Sequence, residues 1–329
     1  MKTYFGLDAI PADLGPSAVT IGKFDGVHTG HLAVIDELNR VAREQGLTSV
    51  VITFDRHPLA QLNPAARPDE LVSNEQRLEL LAATGVDVTI LLPFDGTLAA
   101  MPPRDFVERV LGTMCRARVV MVGEDFRFGA KGSGTIQTLR ELAPEFGFDV
   151  DEIAEVTPES SPAELTPGEV ASAEHSEGRK VSSTWIRELL AEGDVTRAAA
   201  LLGRVPSVRG IVVHGAARGR ELGYPTANLS AESEGLIPAD GVYAGWLTDD
   251  GVRYPAAISV GSNPTFEGVP PKQVEAYVLD RELDLYDHVV EIAFVARIRG
   301  MVRFTGIEPL IAQMDDDVER VRTLLGAEQ

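Results

Sequence analysis

The 329-residue sequence is poor in cysteine, in aromatic residues and in basic residues. It has one cysteine and 6% aromatics, and 30 Lys and Arg face 50 Asp and Glu, for a formal charge of −20. The lone thiol, Cys115, cannot form an intramolecular disulfide, so a disulfide-stabilised secreted domain is excluded and a cytoplasmic location is expected. We expect no signal peptide either, because no basic segment at the start leads into an apolar stretch.

Long apolar runs are also missing. No run reaches the roughly 18–20 residues that a membrane-spanning helix needs, so the sequence predicts no membrane partner. The net negative charge of the chain repels the phosphate backbone of DNA and RNA, so no nucleic-acid partner is expected either. The net charge still allows a small anionic ligand to bind at a local site. The sequence also allows an oligomer.

Residues 17–156 alternate short β-branched runs with segments of helical spacing. This pattern is typical of βαβ units on a parallel sheet, hence of an α/β fold. The predicted strands are residues 19–24, 50–54, 86–92 and 119–122. Helices are expected at about residues 30–45, over 74–83 behind a capping box, and from 102–103 to about 113.

The pattern changes after residue 156. Residues 157–180 are rich in Pro, Ser, Glu and Gly, and they predict a mobile excursion. Short helices at 183–191 and 194–202 lead to strands without long helices between them, which favours an antiparallel barrel or sandwich. These strands are residues 209–214, 242–248, 256–260, 274–279 and 289–298, and an amphipathic helix at 307–325 follows them. The predicted domains are residues 1–203 and 204–329.

A turn rich in glycine and histidine, G-K-F-D-G-V-H-T-G-H, follows the first predicted strand. It opens a helix, whose unpaired amides and positive dipole end suit phosphate, and Gly26 and Gly30 permit close backbone approach. His28 and His31 can both face one anion and stabilise the charge that grows when phosphorus is attacked. Alternatively, both histidines only satisfy hydrogen bonds of the turn.

Three further polar strings end predicted strands or begin a helix. They are T-F-D-R-H-P at residues 53–58, G-E-D-F-R-F-G at 123–129 and V-S-S-T-W-I-R at 181–187. Alone, an Asp-Arg pair is usually a surface ion pair and a Ser-Ser-Thr run is usually a helix cap. Together they offer hydroxyl and amide groups for phosphates, a cation at Arg187 and polar and aromatic surfaces for a planar substrate.

These four motifs, in this order over residues 15–190, closely resemble the adenylyltransferase domain of the prokaryotic bifunctional riboflavin kinase/FMN adenylyltransferase family, also called FAD synthetase. The resemblance implies a Rossmann-like nucleotidyltransferase that joins AMP from ATP to FMN and releases pyrophosphate. Arg56 stands where the family usually has proline, so the loop is expected to be less rigid there.

The resemblance also implies roles for individual residues of the first domain. The catalytic residues would be His28, His31 and Arg187. The nucleotide-binding residues would be Gly22, Phe24, Asp25, Gly26, Gly30, Ser183 and Thr184. The flavin-binding residues would be Phe54, His57, Pro58, Asp125, Phe126, Arg127 and Phe128.

The densest glycine run lies at residues 210–229. It lacks the G-x-x-x-x-G-K-[ST] pattern, yet alternating glycines after a strand let amides surround a phosphate tail. Thr226 and Asn228 place two oxygen ligands on one face of an extended segment, which suits Mg²⁺, although a tight hairpin is the alternative. Glu275 lies on the strand face opposite its two apolar neighbours, where it either accepts a proton from an alcohol or faces solvent.

This run and the strings at residues 238–243, 261–266 and 274–277 resemble the riboflavin kinase module of the same family, over about residues 205–325. The resemblance implies a six-stranded antiparallel barrel that transfers the γ-phosphate of ATP to riboflavin. It implies that Thr226 and Asn228 bind Mg²⁺ and that Glu275 is the general base. It further implies that Gly215, Gly219 and Gly223 bind nucleotide and that Asn263 and Thr265 bind flavin.

The sequence therefore predicts a cytoplasmic bifunctional enzyme whose ligands are riboflavin, FMN, FAD and ATP, with Mg²⁺ accompanying ATP. Two alternatives stay open. In one, only adenylyl transfer occurs and the barrel merely binds flavin. In the other, the chain is a nucleotide- or RNA-binding regulator, because H-x-G-H also resembles synthetase signatures; the acidic balance disfavours this.

Overall fold

The computed structural model of the chain describes residues 1–12, 14–153, 178–215, 223–262 and 272–326. These residues form two units, the first made of 1–153 with Gly178–Val181 and the second of 182–326. Residues 157–177 of the predicted excursion lie outside the described residues. The helices at 183–202 pack within the second unit, and the predicted domain boundary at 203–204 stays a prediction.

A parallel sheet forms the centre of the first unit. Its strands are Lys2–Phe5 (β1), Ser17–Ile21 (β2), Thr48–Phe54 (β3), Val88–Leu92 (β4), Ala117–Gly123 (β5) and Asp149–Ile153 (β6). The six strands are ordered β1-β4-β3-β2-β5-β6. The chain changes direction across the sheet between β2 and β5, and open α/β sheets bind ligands at the carboxyl ends of such strands.

Helices cover both faces of this sheet. They are Thr29–Gln45 (α1), Leu59–Leu62 (α2), Asn74–Ala83 (α3), Gly96–Ala100 (α4), Pro103–Phe106 (α5) and Ile136–Phe146 (α6). Short 3₁₀ turns occur at Leu7–Ala9, Pro64–Ala66 and Ala130–Gly132. The predicted capping box of α3 is confirmed, because Ser73 and Gln76 bond each other's backbone amides. Separate apolar clusters fill the two sides of the sheet, which accounts for its fully buried central strands.

The structure corrects two predicted boundaries. The first strand ends at Ile21 rather than at residue 24, because Phe24 and Val27 have φ angles of 47° and 39° and turn the chain. The helix expected to reach residue 113 is α-helical only to Phe106 and continues as a π-helix, Val107–Met114. The edge strands β1 and β6 were not predicted.

The second unit begins with two helices, Ser183–Glu192 (α7) and Val195–Leu202 (α8), and continues as a barrel. The barrel strands are Ser207–Val213 (β7), Thr226–Leu229 (β8), Gly241–Asp249 (β9), Val252–Ser262 (β10), Lys272–Val278 (β11) and Val289–Arg299 (β12). They close in the order β10-β11-β8-β7-β12-β9 with antiparallel neighbours, so the predicted six-stranded barrel is confirmed.

The last helix, Ile307–Leu325 (α9), has the predicted bounds and packs outside the barrel against β9 and β10. Its apolar stripe is interrupted by Asp317, which is only 4% exposed. Arg299 of β12 donates to both carboxylate oxygens of Asp317, from Nε to Oδ1 (2.9 Å) and from Nη2 to Oδ2 (2.6 Å). This bidentate pair fixes α9 on the barrel. Among the described helices, none is both long and apolar enough to cross a bilayer.

We expect Asp317→Ala to destabilise the second unit by about 3–5 kcal/mol, because it leaves the half-buried Arg299 guanidinium without its counter-charge. The chain has two tryptophans, Trp185 and Trp246, and both lie in the second unit, so urea unfolding followed by tryptophan fluorescence reports on it. The matched control is Asp316→Ala, which changes an exposed carboxylate of the same helix and should cost less than about 0.5 kcal/mol. Equal unfolding midpoints for the two variants would show that the pair does not hold α9.

Candidate active sites

Two stacked histidines open α1 at the carboxyl end of β2. His28 is the helix N-cap, and its Nδ1 accepts the backbone N–H of His31 (3.4 Å). The two rings lie 3.6 Å apart between centroids and 17° from parallel, and His28 is 5% exposed. Because Nδ1 of His28 is an acceptor, the neutral ring carries its proton on Nε2, which is then a hydrogen-bond donor. The predicted pairing of imidazoles at a helix start is therefore present. One of them, His28, also accepts a backbone hydrogen bond of the turn.

Backbone geometry around the histidines leaves little room for side chains. Gly26 has φ of 80°, in the left-handed region that favours glycine. A Cβ on Gly30 would lie 3.2 Å from the His28 ring, and a Cβ on Gly22 would lie 3.1 Å from the ring of Phe24. The Phe24 ring in turn packs 5.0 Å from that of His31. The motif's glycines and phenylalanine thus hold the histidine pair in position.

A buried arginine that the sequence analysis missed lies beside this turn. Arg77 of α3 donates to the carbonyls of Lys23 (2.9 Å) and Phe54 (2.6 Å), so it joins the segment after β2 to the end of β3. Burial lowers the pKa of Arg77, and nearby carboxylates, first that of Asp25, offset this only in part. Asp25 is itself buried and accepts the backbone N–H of Leu71 (2.9 Å). The only sequence signal for Arg77 was a cation inside the helix predicted over residues 74–83.

The T-F-D-R-H-P string follows β3. Nζ of Lys23 lies 3.4 Å from Nε2 of His57. Pro58 is the N-cap residue, directly before α2. Arg56 pairs with Asp55, which also accepts the N–H of Phe94 (2.9 Å). Burial raises the pKa of Asp55, but the hydrogen bonds from Arg56 and the Phe94 amide outweigh it and hold this pKa below its usual value. A small pocket of about 10 Å³ lies here and is lined by Lys23, Asp25, Phe54, Arg56, His57, Glu70 and Arg77.

The G-E-D-F-R-F-G string leaves β5, the strand beside β2. Asp125 is 76% exposed and pairs with Lys180 (2.9 Å), and Arg127 is exposed. Phe126 is half-buried and stacks on Phe128, whose side chain is only 7% exposed and belongs to the core. The structure therefore places Asp125, Phe126 and Arg127 at the surface, at the carboxyl end of the sheet. Phe128 lies beneath them in the core.

Residues predicted to bind phosphate begin α7 in the second unit. Ser182 caps this helix by accepting the N–H of Trp185 (3.3 Å), so Ser183 and Thr184 form its first turn. Arg187 lies one turn further along and is half-buried. Hydroxyls, amide groups and a cation are thus collected at one end of α7.

The predicted kinase residues meet on the outer face of the barrel. Glu275 of β11 lies opposite Asn228 of β8, and Thr226 Oγ1 lies 3.5 Å from Glu275 Oε2. Asn228 Nδ2 lies 3.3 Å from Thr226 Oγ1. A Cβ on Gly215 would lie only 2.5 Å from Asn228 Oδ1, which explains why glycine occupies this position. Gly219, Asn263 and Thr265 lie outside the described residues.

A cavity of about 690 Å³ adjoins Thr226. It is lined by Val212, Gly223, Pro225, Thr226, Ala227, Ala276, Val278, Arg281, Glu282, Leu283, Asp284, Leu285 and Tyr286. The segment at 281–286 carried no motif in the sequence analysis, although its Tyr286 ring stacks on His214 with centroids 3.9 Å apart.

Comparisons with known proteins match both halves of the chain. The FAD synthetase family matches residues 10–166 and the riboflavin kinase family matches residues 202–325. The bifunctional riboflavin kinase/FMN adenylyltransferase of Escherichia coli K12 is 32% identical over 309 residues, which cover 94% of this chain and 92% of that protein. The chain belongs to the bifunctional riboflavin kinase/FMN adenylyltransferase family.

Other relatives give the same result. The family member from Listeria monocytogenes is 33% identical over 92% of this chain and 91% of its own length, and that from Bacillus subtilis is 32% identical over 94% and 92%. A crystal structure described as that of a macrolide-efflux protein from Streptococcus pneumoniae is 30% identical, with a TM-score of 0.82, and covers 98% of this chain and 99% of that one. The likeness to the family therefore extends through both units.

We expect Arg77→Met to loosen the histidine turn, because the side chain keeps its length but loses its donors to the carbonyls of Lys23 and Phe54. Backbone hydrogen exchange over residues 22–31, measured by mass spectrometry, should rise about ten-fold. Arg118→Met is the control, since Arg118 donates to a single carbonyl, that of Gly147, in the same unit. Unchanged exchange in Arg77→Met would show that the turn does not depend on this arginine.

Proposed function

We propose that this chain converts riboflavin into FAD in two ATP-dependent steps. Residues 204–329 phosphorylate riboflavin to FMN, and residues 1–203 adenylylate FMN to FAD and release pyrophosphate. One observation supports the proposal: two chemically distinct clusters of side chains that suit phosphates lie within the two parts of the chain that the FAD synthetase and riboflavin kinase families match. One is the stacked histidine pair of α1, and the other is the cluster of Thr226, Asn228 and Glu275.

In adenylyl transfer, a phosphate oxygen of FMN attacks the α-phosphorus of ATP and the bond to pyrophosphate breaks. Negative charge on the α-phosphate oxygens grows on the way to the transition state. His28 and His31 donate to these oxygens from the helix start, whose dipole adds a favourable field. Ser183, Thr184 and Arg187 hold the departing pyrophosphate through hydroxyls and a fixed positive charge. Neither histidine acts as a nucleophile in this scheme.

On the flavin side of this step, we propose that Phe54, His57 and Pro58 contact FMN, as do Asp125, Phe126 and Arg127. The support is their placement: both strings leave the carboxyl ends of sheet strands, next to the strand that carries the histidines. Phe128 supports this surface from the core by stacking beneath Phe126.

In the kinase step, the ribityl hydroxyl of riboflavin attacks the γ-phosphorus of ATP and ADP leaves. Glu275 accepts the hydroxyl proton. Its half-buried carboxylate lies on the face of β11 opposite the buried Val274 and Ala276. Positioning of the two substrates supplies much of the remaining acceleration.

The oxygen donors beside Glu275 fit a hard divalent cation. Thr226 offers a hydroxyl and Asn228 an amide oxygen, and the absent side chain of Gly215 leaves space next to that oxygen. The described residues contain no group of three or more His, Cys, Asp or Glu that could hold a metal, which suits an ion shared with ATP phosphates rather than caged by protein. Thr226 and Asn228 would hold Mg²⁺, which neutralises phosphate charge when bound.

We propose a cytoplasmic location with riboflavin, FMN, FAD and ATP as ligands, and with no nucleic-acid or membrane partner. The charge of −20 supports the exclusion of nucleic acid. The single thiol, Cys115, cannot form an intramolecular disulfide, which supports a reducing compartment. An oligomer is compatible with these features.

We predict that His28→Ala and His31→Ala each lower FAD formation from FMN and ATP about 10²–10³-fold, because each removes a donor to the α-phosphate. FMN formation from riboflavin should stay within about two-fold, because the kinase site has its own residues. Chromatography of flavin products measures both reactions in one sample. His288→Ala, a change at a surface histidine of the barrel, is the control. A parallel loss of both products in a folded histidine variant would contradict separate sites.

We predict the reverse pattern for the barrel. Glu275→Gln should slow riboflavin phosphorylation about 10²–10⁴-fold, because the amide cannot accept the hydroxyl proton, and adenylylation of supplied FMN should persist. Asn228→Ala should raise the Mg²⁺ concentration needed for the kinase step. Glu291→Gln, at an exposed strand glutamate, should change neither reaction. Normal riboflavin phosphorylation by Glu275→Gln would remove the base assignment, whereas a wild-type chain that forms no FMN from riboflavin would favour the alternative in which the barrel only binds flavin.

A further inference from the structure

The cavity of about 690 Å³ beside Thr226 has two walls that belong to different parts of the barrel chain. The first wall is Gly223, Pro225 and Thr226, where β8 begins, and the second wall is residues 281–286, which follow β11. Residues 223–225 and 281–286 belong to no helix or strand. Side-chain contacts next to these stretches therefore help to hold each wall in place.

The first wall is tied to α9 by a tyrosine. Tyr224 lies between the lining residues Gly223 and Pro225, and its Oη donates to Oδ1 of Asp315 on α9. Burial and the hydrogen bond to Asp315 raise the pKa of Tyr224 to about 12, so the phenol keeps the proton that it donates. Because the φ angle of Pro225 is fixed by its ring, the position of Tyr224 constrains that of Thr226.

The ring of Tyr224 rests on a residue that packs together with α9. It lies against Tyr277 of β11, with ring centroids 5.1 Å apart and 68° between the rings. Tyr277 is the strand partner of Thr226, and it packs on the same apolar cluster as Val318 and Leu325 of α9. Loss of the Tyr224 hydroxyl would leave this ring contact in place, so Tyr224→Phe removes only the bond to Asp315.

The second wall is tied to the same helix by an ion pair. Nη1 and Nη2 of Arg322 donate to Oδ2 (2.6 Å) and Oδ1 (3.2 Å) of Asp280. Asp280 directly precedes the second wall, and its φ of 55° lies in the left-handed region, where the chain turns out of β11. The hydrogen bond from Arg322 also lowers the pKa of Asp280. Bidentate geometry is the arrangement in which a partly exposed ion pair contributes, so this pair holds the turn from which the wall starts.

One helix thus reaches both walls from a fixed position. Arg299 of β12 anchors α9 through the buried Asp317. Asp315 and Arg322 are seven residues apart, which is about 10 Å along the helix axis. The anchor lies between the two contacts in the sequence of α9, so neither wall can shift relative to the helix without breaking one of them.

We propose that α9 clamps the two walls of the cavity, which makes Tyr224 and Asp280 positioning residues for riboflavin phosphorylation. Tyr224 sets the place of Thr226, and Asp280 sets the place of the second wall. A substrate in the cavity then meets Thr226 and its neighbour Glu275 in a fixed geometry. The inference rests on the proposed function, because it requires a substrate of the kinase step to occupy this cavity.

The test uses the full chain and compares Tyr224→Phe, Arg322→Met and the two changes combined. Arg320→Met is the control on α9, because Arg320 donates to the carbonyl of Ile298 on β12 (3.0 Å) and lies outside the cavity lining. Tyr254→Phe is the control for a lost hydroxyl, at a half-buried barrel tyrosine that does not line the cavity. Hydrogen exchange of the ligand-free chain, measured by mass spectrometry, reports on the walls. Steady-state kinetics give kcat/KM for ATP in riboflavin phosphorylation.

Tyr224→Phe should raise exchange several-fold over residues 223–229 only, and Arg322→Met should raise it several-fold over residues 279–286 only. Each should lower kcat/KM for ATP about three- to ten-fold, because the wall that it frees no longer holds its side chains in place. The combined variant should show about the product of the two losses, because the two contacts share no residue. Both controls should match wild type in exchange and in kinetics.

Unchanged exchange at the walls overturns the inference, and so does an unchanged kcat/KM in variants whose walls exchange faster. An equal kinetic loss in Arg320→Met also overturns it, because α9 would then only stabilise the barrel. A wild-type chain that forms no FMN from riboflavin refutes the proposed function and the inference with it. Normal kinase kinetics in wild type and in all three variants refute the clamp alone.

Discussion

The contact on which the proposed adenylyl site depends is the stacking of His28 on His31 at the start of α1. It exists because β2 ends early and the chain turns through residues with positive φ before the helix begins. The cap that His28 provides to the His31 amide fixes the ring, and the missing Cβ of Gly30 lets that ring lie flat against the backbone. One short motif thereby supplies the helix dipole, the amide groups and two imidazoles at the same point.

The proposed kinase site lies on a different fold. A closed barrel places two strands side by side, so that Glu275 and Asn228 become direct neighbours although they are far apart in sequence. This cluster combines one carboxylate, that of Glu275, with the uncharged oxygens of Thr226 and Asn228, a set that suits a metal-bound triphosphate and an alcohol. The histidine pair instead has imidazole N–H groups, which suit a phosphate that gains negative charge. The two steps of the pathway thus use separate groups, which lets one chain perform both.

The sequence predicted most of what periodicity and turn chemistry control. The capping box of α3, the bounds of α9 and the meeting of Thr226, Asn228 and Glu275 all followed from local pattern or from the family motifs. Features created by tertiary contacts were missed. The burial of Asp317 beside Arg299 and the carbonyl-binding role of Arg77 each pair a side chain with a group distant in sequence. A single sequence carries no periodic signal for such contacts.

If the chain has two independent sites for ATP, calorimetric titration with a non-hydrolysable ATP analogue in the presence of Mg²⁺ should detect two binding sites per wild-type chain. One site should remain when His28 and His31 are both replaced by alanine, and one when Thr226 and Asn228 are both replaced by alanine. A wild-type chain that binds a single equivalent, or none, would show that the two sites do not both exist.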